Sequence, residues 1–159
     1  MFALRKNIIV ILFISITSML FTSNIKAQDS LKILTYNIEG MKPGSEPEIR
    51  IQEIIKKLKV LNPDIIGLQE INETLSDATT NQAKIIADSL TEYFGITYNC
   101  YYSFPHLSWD NNYREFVGII TKFAVINSGY KSLPQGAFPR KVVWNYIDTP
   151  LGKINFFST

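Results

Sequence analysis

Cysteine and histidine are almost absent from the sequence, which contains one of each among 159 residues. A single cysteine, Cys100, excludes an intrachain disulfide, and we interpret it as a small buried hydrophobic residue. A single histidine, His106, excludes zinc sites that are built from clusters of histidine and cysteine. The sequence therefore predicts neither a disulfide-stabilised domain nor a zinc domain.

An excess of charge of one sign is also lacking, with 16 Lys and Arg against 14 Asp and Glu. Three of the basic residues, Arg5, Lys6 and Lys26, lie within residues 1–27, which contain no acidic residue. Residues 28–159 therefore carry 13 basic and 14 acidic residues, a net charge of −1. A strongly basic surface for tracking along nucleic acid is excluded from this part, although a local basic patch is compatible with it.

The sequence contains one long apolar run, Ile8–Phe21, which follows two basic residues and precedes a short polar stretch ending at Ala27. This order is typical of a cleavable secretory signal peptide. The alternative is an uncleaved membrane anchor, but about 14 residues are fewer than the roughly 20 that cross a bilayer. We therefore expect residues 1–27 to be a signal peptide, residues 28–159 to form the domain, and the protein to be secreted or periplasmic.

After the signal peptide, the pattern predicts a strand, a helix and a second strand. Lys32–Asn37 is short, apolar and rich in β-formers, and Asp64–Glu70 is nearly all apolar until its last two residues. Between them, apolar residues recur at three- and four-residue spacing from Pro47 until Asn62. This order implies two parallel strands with a helix over one face. A second helix is predicted over residues 81–94, because apolar residues recur on one helical face there. Gly95 is expected to end it.

From Thr97 onward the pattern changes to short β-type runs separated by turn residues, which predicts a β meander. The predicted strands are Tyr98–Phe104, Glu115–Thr121, Phe123–Ser128, Arg140–Ile147 and Lys153–Phe157. No polar segment follows the last run, and natural domains rarely end within a core strand. We therefore expect the domain to continue beyond Thr159.

Two polar residues, Asn37 and Glu70, stand at the predicted ends of the first two strands. The carboxyl ends of parallel strands meet at one edge of a sheet, where ligands commonly bind. A carboxylate beside an amide suits a hard cation and a phosphate oxygen. The alternative, that both side chains face solvent or cap a loop, is equally compatible with the spacing alone.

Lys32–Gly40 (KILTYNIEG) and Asp64–Ile71 (DIIGLQEI) resemble the first two motifs of the endonuclease/exonuclease/phosphatase superfamily, whose fold is like that of deoxyribonuclease I. Three later segments resemble its further motifs, in order and at plausible spacing: Tyr113–Glu115, Phe138–Lys141 and Ile154–Thr159. The resemblance covers essentially all of residues 31–159. It implies an α/β fold, a four-layer α/β/β/α sandwich of which this chain is the first half.

The resemblance also implies roles. Glu70 corresponds to a glutamate that binds Mg²⁺, often exchangeable with Mn²⁺ or Ca²⁺, and Asn37 to an asparagine that arranges metal and phosphate. Glu115 corresponds to an acidic residue that orients a catalytic histidine, or else is a surface glutamate. Arg140 corresponds to a phosphate-binding arginine, or else is a solvated charge. His106 matches none of the family's histidine motifs, and we interpret it as a loop residue without a catalytic role.

The resemblance further implies segments that residues 1–159 do not contain: a histidine after Thr159, then Gly-Asp-x-Asn and Ser-Asp-His segments. We therefore expect this chain alone to be inactive. We also expect it to provide one sheet with its helices and little of the second sheet. The inner face of the first sheet would then be uncovered, and the isolated chain poorly soluble or partly unfolded.

The resulting functional hypothesis is Mg²⁺-dependent hydrolysis of a phosphate ester outside the cytoplasm, without a stable protein partner. The substrate classes that the resemblance allows are nucleic acids, phospholipid head groups and sugar phosphates. One alternative is a non-catalytic relative that uses the same fold for binding. Another is an exported carbohydrate-associated α/β protein that resembles the family by chance.

Overall fold

The structure is a computed structural model that describes residues 30–40, 46–134 and 136–159. The predicted signal peptide, residues 1–27, lies outside the described residues. Among the residues that are described, no helix is long and apolar enough to cross a membrane.

The first sheet has four strands: β1 (Ile33–Asn37), β2 (Ile65–Thr74), β3 (Asn99–Leu107) and β4 (Tyr113–Thr121). Their order in the sheet is β1-β2-β4-β3. β1 and β2 are parallel, as the sequence predicts, and β4 is antiparallel to both β2 and β3. The parallel pairing ends with Asn37 opposite Gln69, so β1 and β2 deliver their last paired residues to the same edge.

Two helices cover one face of this sheet, α1 (Pro47–Leu61) and α2 (Gln82–Phe94), with a short 3₁₀ helix (Ala78–Thr80) before α2. Asn62 caps the C-terminus of α1: its backbone is left-handed, and its N–H donates to the Leu58 carbonyl oxygen. Asn81 caps α2, because its side chain accepts the N–H groups of Ala83 and Lys84, and left-handed Gly95 ends it. The helices and the sheet enclose the first core. Its fully buried members include Ile38, Leu58, Ile66, Leu68, Ile86, Leu90 and Ile120.

A second sheet packs on the other face of the first. It is an antiparallel meander of β5 (Ala124–Ser132), β6 (Lys141–Thr149) and β7 (Gly152–Ser158), in that order. A second core lies between the sheets and consists of Ile65, Val117, Ile119, Val143 and Ile147. The described residues thus form three layers, helices, sheet and sheet.

Two expectations are wrong. The chain supplies three strands of the second sheet rather than little of it, because inward-facing residues of β6 alternate along the strand and pack against β2 and β4. The inner face of the first sheet is therefore covered at β2 and β4, whereas β1 stays mostly exposed, with Ile33 at 51%. The expected uncovered apolar face is thus confined to β1. In addition, β2 does not end at Glu70 but continues to Thr74, because residues 71–74 pair with β4.

Candidate functional site

Asn37 and Glu70 are in contact at the shared edge of β1 and β2. Asn37 Nδ2 donates to Glu70 Oε1 over 2.7 Å. The predicted proximity of these two side chains is confirmed, whereas their roles in binding metal and phosphate stay predictions. Parallel pairing is the cause, since it places residues at the ends of both strands on one edge.

The amide of Asn37 has a defined orientation. Its Oδ1 accepts the backbone N–H of Glu39 at 2.9 Å, so the Nδ2 group faces Glu70. The backbone of Glu39 is left-handed, with φ of 45°, and its carboxylate pairs with Arg50 at 3.1 Å. An amide oxygen has two lone pairs, so Asn37 can hold the Glu70 carboxylate and still offer an oxygen to a cation.

Glu70 lies in a β-bulge. Leu68 pairs with Gly118 and Ile71 with Phe116, so Gln69 and Glu70 together oppose one residue of β4, Val117. Glu70 has a φ of 53°, in the left-handed region that a residue with a Cβ rarely adopts. Such backbone strain concentrates at functional sites and persists only where neighbouring contacts enforce it.

All four predicted site residues, Asn37, Glu70, Glu115 and Arg140, line one cleft of about 500 Å³. Thr159, which follows β7, lines it too, and β7 ends beside β2 because Gln69 Nε2 donates to Ser158 Oγ at 3.1 Å. Two cavities of about 590 and 650 Å³ lie elsewhere, but neither contains any of the four residues. The predicted residues therefore converge on one cleft, and a few convergent polar groups are what a binding site needs in addition to a cavity.

Glu115 is half-buried on β4 within the cleft. Burial raises the pKa of its carboxyl group, and the Glu70 carboxylate adds to that rise, whereas His106 and Arg140 oppose it. Removal from water disfavours a charge, and a neighbouring negative charge disfavours it further. Glu115 is therefore less readily ionised than an exposed glutamate.

The interpretation of His106 as a loop residue is wrong. His106 belongs to β3, pairs across the ladder with Glu115, and lines the cleft. Its Nε2 lies 3.5 Å from Glu115 Oε1, and its Nδ1 lies 2.7 Å from the Leu107 carbonyl oxygen, which can only accept. The Trp109–Asn112 turn was the available signal, because a hairpin centred between Asp110 and Asn111 places residue 106 opposite residue 115. Pro105 and the register shift between Ser103 and His106 obscured the strand pattern.

Arg140 precedes β6 and reaches the cleft from the second sheet, where its charge acts on Glu115. Arg140 and Lys141 both line the cleft, so two cations face two carboxylates. A guanidinium group suits a phosphate, because its planar fork meets two oxygens at once.

The oxygen atoms present in the cleft suit part of the coordination shell of a hard cation. Glu70 supplies a carboxylate and Asn37 an amide oxygen, and Mg²⁺ takes one or two carboxylates together with water and substrate phosphate oxygens. Within the described ranges there is no group of three or more His, Cys, Asp or Glu residues that could hold a metal. Glu70 would therefore be the principal protein ligand that this part of the chain provides.

Comparison with protein families gives one match. The model described as "Endonuclease/Exonuclease/phosphatase family" matches residues 34–158. No curated protein matches the chain.

Several solved structures have a similar fold. An endonuclease/exonuclease/phosphatase family protein from Leptotrichia buccalis C-1013-b is 22% identical, with a TM-score of 0.69 over 82% of this chain and 53% of that chain. TDP2 from C. elegans is 17% identical, with a TM-score of 0.56 over 84% of this chain and 37% of that chain. ANGEL2, a 2′,3′-cyclic phosphatase, is 16% identical, with a TM-score of 0.51 over 74% of this chain and 36% of that chain. This chain thus spans about half or less of the length of these structures.

Proposed function

This chain belongs to the endonuclease/exonuclease/phosphatase family, and from that premise we propose that it carries the cation-binding and phosphate-binding side of an active site that hydrolyses a phosphate ester. The solved relative ANGEL2 is a 2′,3′-cyclic phosphatase, which supports a phosphate ester as the kind of substrate. Mg²⁺ is the proposed cofactor, because the two polar side chains at the strand edge offer hard oxygen atoms.

The contact between Asn37 and Glu70 carries this proposal. It joins a carboxylate to an amide over 2.7 Å, and the cleft that contains it also receives the Arg140 guanidinium group. A bound Mg²⁺ would polarise a phosphate oxygen and lower the pKa of a coordinated water. The protein's part is to hold the Glu70 carboxylate in place through Asn37 and to contact a second phosphate oxygen through Arg140.

Glu115 is proposed to orient a histidine. In the described residues its carboxylate faces His106, at 3.5 Å from Nε2. Because Nδ1 donates to the Leu107 carbonyl oxygen, a hydrogen bond between Nε2 and Glu115 requires one further proton, on the ring or on the carboxyl group. This shared proton supports a role of the pair in acid–base chemistry in the cleft.

The proposal also includes export of the protein and a small substrate. Residues 1–27 have the order of a signal peptide, which supports a secreted or periplasmic location. The net charge of −1 over residues 28–159 favours a compact phosphate ester over a long nucleic acid, since tracking along nucleic acid relies on a basic surface.

The test is a calorimetric titration of the purified chain with Mg²⁺. Glu70→Gln keeps the shape of the side chain but removes its charge, and we expect it to weaken Mg²⁺ binding by roughly tenfold or more. Glu92→Gln, on the exposed surface of α2, is the matched control and should leave the affinity unchanged. Equal affinities for the wild type and Glu70→Gln would contradict the proposal.

We further propose that residues 1–159 alone bind the cation and phosphate without turning over a phosphodiester. The family resemblance assigns water activation to histidine and aspartate residues that are not among them. Measurable Mg²⁺-dependent hydrolysis of bis(p-nitrophenyl) phosphate by the chain, lost in Glu70→Gln, would overturn this part while supporting the metal site.

A further inference from the structure

The backbone on both sides of the proposed cation site is left-handed, at Glu39 with φ of 45° and at Glu70 with φ of 53°. A left-handed conformation is costly for a residue with a Cβ, and it persists only where the surroundings enforce it. The contacts that enforce it at Glu70 lie behind the cleft, on the side of the sheet that the helices cover.

The carbonyl oxygen of Glu70 accepts two hydrogen bonds. The backbone N–H of Gly40 donates to it at 3.0 Å, and Asn72 Nδ2 donates at 3.3 Å. Because the peptide group after Glu70 is thereby held from two directions, its rotation out of the left-handed region would break both bonds.

The side chain of Gln82, the first residue of α2, bonds to the backbone of both donor residues. Its Nε2 donates to the Gly40 carbonyl oxygen at 2.9 Å, and its Oε1 accepts the Asn72 backbone N–H at 2.9 Å. Only one orientation of this amide is possible, since a backbone carbonyl can only accept and an N–H can only donate. Gln82 and Asn72 are 5% and 4% exposed, so water does not readily replace these bonds.

The space around Gly40 shows how closely these groups pack. A Cβ at this position would lie 2.0 Å from Gln82 Oε1, 2.7 Å from Asn72 Nδ2 and 2.8 Å from the Glu70 carbonyl oxygen. No side chain fits there, so the close approach of the three groups depends on glycine. We call Gly40, Asn72 and Gln82 the Gln82 network.

We propose that Gln82 is a positioning residue for the cation site: through the Gln82 network it holds the left-handed backbone of Glu70, and so aims the carboxylate into the cleft without touching the ion. This inference rests on the proposed function. The side chain of Gln82 lies outside the cleft lining, whereas Glu70 and its partner Asn37 are part of it. Residues that orient a metal ligand typically change metal affinity by about 10- to 100-fold when they are replaced.

The test uses two readouts on Gln82→Met, which keeps the length of the side chain and removes both hydrogen bonds. Free Mn²⁺, measured by electron paramagnetic resonance in titrations of the purified chain, should show an affinity roughly tenfold weaker than that of the wild type. Amide hydrogen exchange in the metal-free protein should show faster exchange at Gly40, because its N–H loses the support of the network.

Asn81→Ser is the matched control. Asn81 is adjacent to Gln82 and fully buried, but its amide caps α2 and donates to Glu73 Oε2 at 3.1 Å instead of joining the Gln82 network. Serine retains the cap and loses the bond to Glu73. We expect this variant to lower the melting temperature and to leave Mn²⁺ affinity and Gly40 exchange unchanged.

Gln82→Glu separates the two bonds of the amide. It keeps an acceptor for the Asn72 N–H but places a carboxylate oxygen against the Gly40 carbonyl oxygen, so Gly40 exchange should again accelerate. Unchanged Mn²⁺ affinity in Gln82→Met, or an equal loss in Asn81→Ser, would overturn the inference.

Failure of the proposed function gives a different result. If the wild type binds no Mn²⁺, or Glu70→Gln binds it equally well, the cation site is wrong. The Gln82 network is then judged by Gly40 exchange alone, which must be faster in Gln82→Met than in Asn81→Ser. Equal exchange rates in these two variants would overturn the network as well.

Discussion

Two buried amide side chains, one packed against each sheet, are bonded in opposite ways. Gln82, at the start of α2 over the first sheet, is 5% exposed, and both ends of its amide are bonded to backbone groups around Glu70. In the second sheet, Asn145 on β6 is fully buried, and within the described part of the chain neither its Oδ1 nor its Nδ2 has a hydrogen-bond partner. A buried amide stabilises a structure only when its partners are in place, because an unpaired one retains its full desolvation cost.

The two sheets also differ in how deeply their strands are buried. The central strands of the first sheet lie between the helices and the second sheet, and β4 is buried from Phe116 to Thr121, whereas the edge strand β1 is mostly exposed. In the second sheet, most residues of β5 and β7 are exposed. The first sheet can therefore hold strained backbone such as that of Glu70, since rigid neighbours on both faces supply the necessary contacts.

The largest expected effects test whether the second sheet packs as tightly as the helices do. Ile119 and Ile120 are consecutive on β4 and fully buried, but Ile119 faces the second sheet and Ile120 faces the helices. Each Ile→Ala substitution should lower the free energy of unfolding by about 3 kcal/mol. Urea denaturation measures both. A loss at Ile119 below about 1 kcal/mol, with the full loss at Ile120, would show that the second sheet covers this face only loosely.

Gly40→Ala should have the next largest effect, because the new Cβ would overlap the Gln82 amide and the Glu70 carbonyl. We expect a loss of about 2 kcal/mol of stability and of detectable Mg²⁺ binding. Gly136→Ala is the control, since nothing lies within 4 Å of its Cβ position. Thermal denaturation and calorimetry would check both variants. Retained Mg²⁺ affinity in Gly40→Ala would separate the packing of the first sheet from its proposed function.

Asn145→Val should be neutral or stabilising by up to about 1 kcal/mol, since it removes two buried polar atoms that lack partners. Valine also suits a strand between two sheets. The measurement is urea denaturation beside Gln82→Met, which should be destabilising. Destabilisation by Asn145→Val as large as that by Gln82→Met would remove the contrast between the two amides.

The smallest effect concerns the pH dependence of stability at Glu115. Burial raises the pKa of this carboxyl above its ordinary value of 4.5, so the folded state retains the proton more strongly than the unfolded state. The contribution of Glu115 is therefore most favourable below 4.5 and is lost as the pH rises through the folded pKa. Glu115→Gln should gain stability relative to the wild type over that rise, as measured by urea denaturation at several pH values. Exposed Glu92→Gln is the control for the loss of one carboxyl group.

The local sequence pattern was sufficient to predict the helices and strands and one contact of the site. The predicted strand–helix–strand unit corresponds to β1, α1 and β2, and its parallel strands bring Asn37 to Glu70 as expected. Later runs correspond to β3 through β7, with bounds that differ by a few residues. Which of those strands join the first sheet and which form the second was not predictable, since alternation of polar and apolar residues states only that one face is buried.

Other parts of the site were missed for a different reason. The bulge at Glu70 leaves no signal in the run Ile65–Glu70, and β2 continues through polar residues that read as a loop. His106 was misassigned because Pro105 and a register shift interrupt the pattern of β3. Gln82 gave no signal at all, as a glutamine in the first turn of a helix is ordinary.

The order of residues was enough to infer the periodicity of each element, the family motifs and the parallel pairing that brings two strand ends together. The bond from Gln82 to Gly40, 42 residues earlier, and the position of His106 opposite Glu115 emerged from the folded chain alone. Periodicity depends on neighbours within one or two turns of the chain, whereas a bond across 42 residues depends on the packing of every layer between them.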